Sequence, residues 1–217
     1  MPRKDAMLRG SYLFVMIRAF LFDIGNVLLR FDFNLALKKL AVDPDPAAEK
    51  ILELLEPIKA SYESGGMDRA EFQKQVRAIL RYTGSDAEFV CAWEDIFTEN
   101  KPMVELVEKL HGHFPLYLLS NTSDLHVDYI FRQYPVFARF SDAVYSYKVR
   151  AAKPHREIYE IAQRQLGITP EETFFIDDLL PNIATARELG FRAHHYHHDR
   201  HDALLADLAE AGVRLGS

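Results

Sequence analysis

Four short stretches carry side chains that could do chemistry together: Asp23 with Gly25, Ser120 with Asn121, Lys153 ahead of Pro154, and the pair Asp177 and Asp178. Clustered carboxylates repel one another unless a cation joins them. Hard oxygen ligands from aspartates and a backbone carbonyl suit Mg²⁺, which also keeps several waters and a substrate oxygen. A lysine, a serine hydroxyl and an amide beside them supply the donors that a phosphoryl group requires, so the set points to phosphoryl transfer. Taken singly, the signals are weaker. An Asp-x-Gly after a strand also caps an ordinary turn, and either Asp177 or Asp178 could simply compensate a helix N-terminus.

What must position these residues is a sheet. Ile17, Ala19, Phe20, Leu21 and Phe22 form an apolar run with the length and aromatic content of a buried parallel strand, and ligands in open α/β sheets sit beyond the carboxyl ends of such strands. After Pro102 the pattern alternates. Helices are predicted over 104–110, 125–133, 156–166, 181–189 and 203–211, and strands over 114–119, 143–146, 173–176 and 191–196. Thr169, Pro170 and Glu172 read as a capping box, and Gly190 as the stop of the helix before it. From Phe31 to Lys109 the pattern is helical throughout, with none of it reading as strand. Its apolar stripes are Ile51, Leu52, Leu54, Leu55 and Ile58; Phe72, Val76, Ile79 and Leu80; and Phe89, Trp93, Ile96 and Phe97. Pro57 is expected to kink or end the first, while Gly65 with Gly66, and Gly84 to Asp86, separate the three.

The expected architecture is therefore α/β: a doubly wound parallel sheet, Rossmann-like, from residues 17–30 and 101–217, with a small helical cap over 31–100 inserted after the first strand and an N-terminal extension over 1–16. A chain of 217 residues, 48% hydrophobic, can bury one good core and a smaller accessory unit. Its net charge of −6, with no run of Lys and Arg, argues against nucleic acid or an anionic membrane as partner. The leader lacks a cleavage site and a long apolar core, and Arg18 and Asp23 interrupt the only nearby apolar run, so neither a signal peptide nor a membrane span is read there. Cys91 is the single cysteine, which excludes an intrachain disulfide and leaves a cytoplasmic location as the expectation. His194, His195, His197, His198 and His201 look like a metal site, yet neighbours on a strand face opposite ways and cannot all converge on one ion. Oligomeric state is not legible.

FDIGNV at Asp23, LLSNT at Ser120, the Lys153-Pro154 pair and FIDDLLPN at Asp177 together resemble, in order and spacing, the four motifs of the haloacid dehalogenase superfamily. The resemblance runs from Ile17 onward, and the FDIGNVL and SNTSDLH forms look most like bacterial sugar-phosphate phosphatases of the α-glucose-1-phosphate phosphatase kind. It implies that Asp23 is a nucleophile forming an aspartyl phosphate, that Ser120 and Asn121 hold phosphoryl oxygens, and that Lys153 balances their charge. It further implies Mg²⁺ held by the Asp23 carboxylate, the Gly25 carbonyl and the Asp178 carboxylate, with Asp177 behind them orienting a metal-bound water. The substrate class implied is a small phosphorylated metabolite, with the break at Glu63, Ser64, Gly65 and Gly66 in the region where capped relatives select it. A metal-free dehalogenase of 2-haloacids and a non-catalytic phosphate-binding module are the alternatives.

The chain departs from the fuller pattern at Gly25, where many such phosphatases carry a second aspartate that protonates the leaving alcohol. The carbonyl role survives this replacement. Proton transfer, typically worth about 10² to 10⁴ in rate, does not. His126 and Asp32 are the substitutes that the sequence offers.

Overall fold

Ala19, Phe20, Leu21 and Phe22 form β1 (Ala19–Phe22), the middle strand of a five-stranded parallel sheet, and all four are buried. The computed structural model describes residues 16–40 and 47–214, so the expected N-terminal extension lies, apart from Met16, outside the described residues. In chain order the remaining elements are β2 (Leu29–Phe31), α1 (Phe33–Lys39), α2 (Ala47–Glu63), α3 (Arg69–Leu80), α4 (Asp86–Glu94), β3 (Phe97–Glu99), α5 (Lys101–Leu110), β4 (Leu116–Ser120) and α6 (Asp124–Gln133). They continue as β5 (Asp142–Tyr145), α7 (Ser146–Val149), α8 (Arg156–Leu166), β6 (Thr173–Asp177), α9 (Leu180–Glu188), β7 (Arg192–His195) and α10 (His201–Glu210).

The sheet order is β5-β4-β1-β6-β7, every pair parallel. Side chains alternate along β1 as the pleat requires. Phe20 and Phe22 join a core with Met103 and Leu106 of α5, Ile130 of α6 and Leu204 and Leu208 of α10. Ala19 and Leu21 join a second core with Ile158 and Tyr159 of α8 and Ile183 of α9. Burial on both faces explains why β1 reads as a continuous apolar run. Each large side chain so enclosed contributes roughly 1.5–3 kcal/mol relative to exposure. Phe22 is paired in register with Leu118 and with Ile176, and the Asp23 amide donates to the Ile176 carbonyl at 2.9 Å. That register brings the ends of three strands to one level.

Helices α1 to α4 surround a third core in which Trp93, Phe72 and Phe89 are almost completely buried with Leu55 and Val76, and Leu125 of α6 enters it from below. Ser85 caps α4 in a full capping box with Glu88. No described helix is long and apolar enough to cross a membrane.

Three local expectations are corrected. The segment 31–109 is not helical throughout: β2 and β3 pair antiparallel, Phe31 opposite Phe97, where the chain leaves the sheet and returns to it. Three-residue strands are too short to show a period, and Phe97 falls at helical spacing from Trp93 by coincidence of the turn between them. Pro57 does not end its helix, since α2 runs from Ala47 through to Glu63. Thr169 and Pro170 open only a single 3₁₀ turn, in which the Thr169 side chain caps nothing; its carbonyl instead accepts from Thr173 Oγ1 at 2.8 Å.

Candidate active site

The carboxyl ends of β1, β4 and β6 deliver Asp23, Ser120 and Asp177 to one edge, and the loop after α7 brings Lys153 between them. Lys153 Nζ lies 2.8 Å from Asp23 Oδ1 and 2.6 Å from Asp177 Oδ2, and its side chain is only 1% exposed. Asn121 builds that loop. Its Oδ1 accepts from the Lys153 amide at 2.9 Å and its Nδ2 donates to the Lys153 carbonyl at 2.8 Å, leaving one amide hydrogen for the cavity. Ser120 is almost wholly buried at the cavity wall.

Asp177 is completely buried and held at both oxygens: Oδ1 accepts from the Leu179 amide and from Asn182 Nδ2, while Oδ2 takes Lys153. These contacts fix Lys153 and the start of the loop into α9 around the Asp177 carboxylate. Asp178 is more open, its Oδ2 accepting from Asn26 Nδ2 at 3.0 Å and its carbonyl from His195 Nε2 at 2.9 Å. Asn26 and Asn182 were given no role from sequence, and His195 was read there only as part of the histidine string. Both asparagines lie inside the quoted stretches, Asn26 in FDIGNV and Asn182 in FIDDLLPN, which is the signal that could have found them; the left-handed backbone of Asn26, at φ 53°, no pattern shows.

Electrostatically the edge is short of positive charge. Burial pushes the Asp23 carboxyl up to about 7, with Lys153 opposing the rise and Asp177 and Asp178 adding to it. Burial also raises Asp178, partly offset by Asn26. For Lys153 burial alone acts downward, but Asp177 and Asp23 outweigh it and hold the ammonium above its usual range. Asp23, Asp177 and Asp178 each bring an oxygen within 4.8 Å of the others, so three carboxylates face one ammonium. The Gly25 carbonyl accepts no hydrogen bond among the described residues. This donor set, all oxygen and net negative, fits a hard divalent cation.

Above the edge lies a cavity of about 330 Å³, whose floor is Asp23, Ser120 and Lys153 and whose roof comes from α1, α2 and the β2–β3 ribbon. Asp32 takes no part in it: its Oδ1 accepts from the Asn34 amide and caps α1. His126 lines the cavity, but its Nε2 faces the Trp93 carbonyl at 3.3 Å, and burial pushes its pKa down to about 4, against that carbonyl's opposing pull. The histidine string does not converge on one point: His194 meets Asp207 at 2.6 Å and His201 meets Tyr196 at 3.3 Å, while His197 and His198 stack on each other beside Asp199.

The sequence model of the haloacid dehalogenase-like hydrolase family matches residues 17–190. Among known proteins, the chain is similar to the D-ribitol-5-phosphate phosphatase of Bacteroides thetaiotaomicron, with 29% identity over 189 residues that cover 81% of this chain and 90% of that one. A solved haloacid-dehalogenase-family enzyme of the same organism, in complex with magnesium and inorganic phosphate, is 30% identical with a TM-score of 0.73, covering 82% of this chain and 93% of that chain. The L-2-haloacid dehalogenase of Xanthobacter autotrophicus, 18% identical with a TM-score of 0.61 over 82% of this chain and 76% of that one, shares the fold.

Proposed function

Because the chain belongs to the haloacid dehalogenase-like hydrolase family, we propose that it is a Mg²⁺-dependent phosphomonoesterase acting on small phosphorylated metabolites, sugar and sugar-alcohol phosphates above all. The observation that carries this reading is the meeting of Asp23, Ser120 and Lys153 on the floor of one closed-over cavity, with two more carboxylates beside them. The cavity's size suits a substrate of this kind, and the phosphatase relative acts on one. Residues 17–30 and 101–217 form the catalytic unit and 31–100 the cap, joined through the β2–β3 ribbon.

Asp23 attacks phosphorus, and its partner Lys153 both aligns Oδ1 and balances the charge of the phosphoryl oxygens. The Ser120 hydroxyl and the remaining Asn121 amide hydrogen donate to those oxygens. Mg²⁺ would be held by the Asp23 and Asp178 carboxylates and the Gly25 carbonyl, and supplies further neutralisation of phosphoryl charge when bound. Dehalogenation is disfavoured by the acids gathered at Asp178, which a metal-free displacement does not need. The test is turnover of p-nitrophenyl phosphate with and without Mg²⁺, alongside chloride release from a 2-haloacid, followed by a panel of sugar phosphates. Chloride release without phosphate release overturns the reading.

The two acids of β6's end should separate by phenotype. Asp178→Ala is expected to raise the Mg²⁺ concentration needed for half-maximal rate far more than Asp177→Ala does, whereas Asp177→Ala, which strands Lys153, Asn182 and the Leu179 amide, should lower the melting temperature more. Equal Mg²⁺ dependence in the two variants contradicts the assignment. Replacing His197, His198 and His201 with Gln is expected to leave Mg²⁺-dependent turnover within about twofold, as surface changes usually do. A collapse of activity would tie the string to the site.

A further inference from the structure

Position 25 carries no side chain to donate a proton, and a Cβ built on Gly25 comes 3.0 Å from Phe31 Cε1, so a second aspartate there would require the aromatic ring to shift. Asp32 is tied to the N-terminus of α1, and the His126 ring nitrogen that has a partner faces a backbone carbonyl. One acid of the cavity remains free. Glu63, the last residue of α2, lines the same cavity as Asp23 and Ser120, and its carboxylate takes neither a hydrogen bond nor an ion pair among the described residues. The lysine beside it, Lys59, pairs with Glu56 at 2.9 Å and lies 4.0 Å over the Phe33 ring.

Glu63 is also held to the catalytic edge by its backbone. The Ser146 hydroxyl, fully buried, accepts from the Thr122 amide at 3.0 Å and donates to the Glu63 carbonyl, so one side chain ties the end of α2 to the loop that carries Ser120 and Asn121. Two residues on, Gly65 adopts φ 73° and passes so close to α7 that a Cβ there would meet the Tyr147 carbonyl at 2.5 Å. The cap is thus seated on the sheet at the point where Glu63 enters the cavity.

We propose that Glu63 is the proton donor to the leaving oxygen, in place of the side chain that Gly25 lacks; this rests on the phosphatase reading above. As an Asp23 oxygen bonds to phosphorus and the bond from phosphorus to the alcohol oxygen breaks, the Glu63 carboxyl passes its proton to that departing oxygen. The resulting carboxylate then takes a proton from the water whose oxygen attacks phosphorus and displaces Asp23, which restores both acids. The charge environment suits a group that must hold a proton near neutrality. Burial, then repulsion from Glu56 and Asp23, outweighs the pull of Lys59 and pushes Glu63 up to about 7. Lys153, Asp178 and His126 are the other titratable groups of the cavity, with Tyr147 and Arg150 of the α7 region against the turn at Gly65.

The test compares an alkyl and an aryl ester, because only a poor leaving group needs the proton. kcat/KM is the quantity to compare, since it reports steps up to release of the alcohol and not the later hydrolysis. Glu63→Gln is expected to lower kcat/KM for glycerol 2-phosphate by about 10²-fold or more while leaving p-nitrophenyl phosphate essentially unchanged. It should also abolish the fall of the alkyl rate above pH 7, and Glu63→Asp, which keeps a carboxyl, should retain that limb. An equal loss on both esters, or no loss on either, overturns the assignment and leaves the phosphatase reading standing. No turnover of either ester by the unmodified protein takes down both. If the Gln variant does not fold, the unmodified protein still decides: dependence on leaving group should be shallow at pH 6 and steep at pH 9, and a slope that does not change with pH overturns the proposal.

Discussion

Asp23→Asn is expected to reduce turnover of every phosphate ester to background while leaving the fold intact, because the amide keeps the carboxylate's shape and removes the attacking oxyanion. The same change should make the metal-free protein more stable at pH 8. The Asp23 carboxyl titrates at about 7 in the folded chain against 3.8 when solvated, burial being the main cause. The folded state therefore holds a proton that the unfolded state releases. Its contribution is fully present below 3.8 and is lost as pH rises through about 7, so the unmodified protein loses stability over that window and the Asn variant does not. Denaturant midpoints at pH 5 and pH 8 check this. Near-equal midpoints of the two proteins at pH 8, or more than trace turnover by pure Asn variant, contradict the role given to Asp23. Added Mg²⁺ should narrow the stability gap, by binding the folded unmodified protein in preference to the unfolded one.

What could be seen in advance follows from the physics of each signal. β1 announced itself because burial on both faces demands a continuous apolar run, and Asp23 stood out because it ends that run abruptly. The crossover pattern after Pro102 was legible for the same reason: each strand is bounded by turn residues and each helix carries its own stripe. The β2–β3 ribbon was not, because Leu29 to Phe31 and Phe97 to Glu99 are stabilised by pairing with each other across 65 intervening residues and not by any local period. The site was legible as a set of residue types but not as a wiring. Nothing in the types shows that Asn121 fixes the Lys153 backbone, that Asp177 is held at both oxygens, or that the Phe31 ring packs against Gly25. Glu63 illustrates the limit most plainly: the resemblance put it in a break between cap helices where relatives select substrate, but nothing in its type shows that the docking of α2 on α7 through Ser146 carries it into the cavity.

The second large effect is expected at Lys153, whose ammonium lies between two buried carboxylates. Lys153→Met keeps most of the packing volume and removes the charge. Turnover should fall by about 10² to 10³, the range for one group that stabilises developing phosphoryl charge, and inhibition by vanadate should weaken with it. Stability should fall too, by about 3–5 kcal/mol where both acids are ionised, since a broken buried pair leaves uncompensated charge. That loss has a direction in pH. With the lysine gone, Asp23 binds its proton still more readily in the folded state, so the variant should approach the unmodified protein's stability near pH 4 and diverge from it as pH rises. Lys153→Arg is not expected to rescue, because a planar guanidinium cannot replace a compact ammonium in a position with 1% side-chain exposure and two oxygens at 2.6 and 2.8 Å. The decisive comparison is the pH course of the unfolding midpoint alongside vanadate inhibition. A stability loss that is the same at pH 5 and pH 8 would make Lys153 a packing residue, and unchanged vanadate binding would remove it from the phosphoryl site.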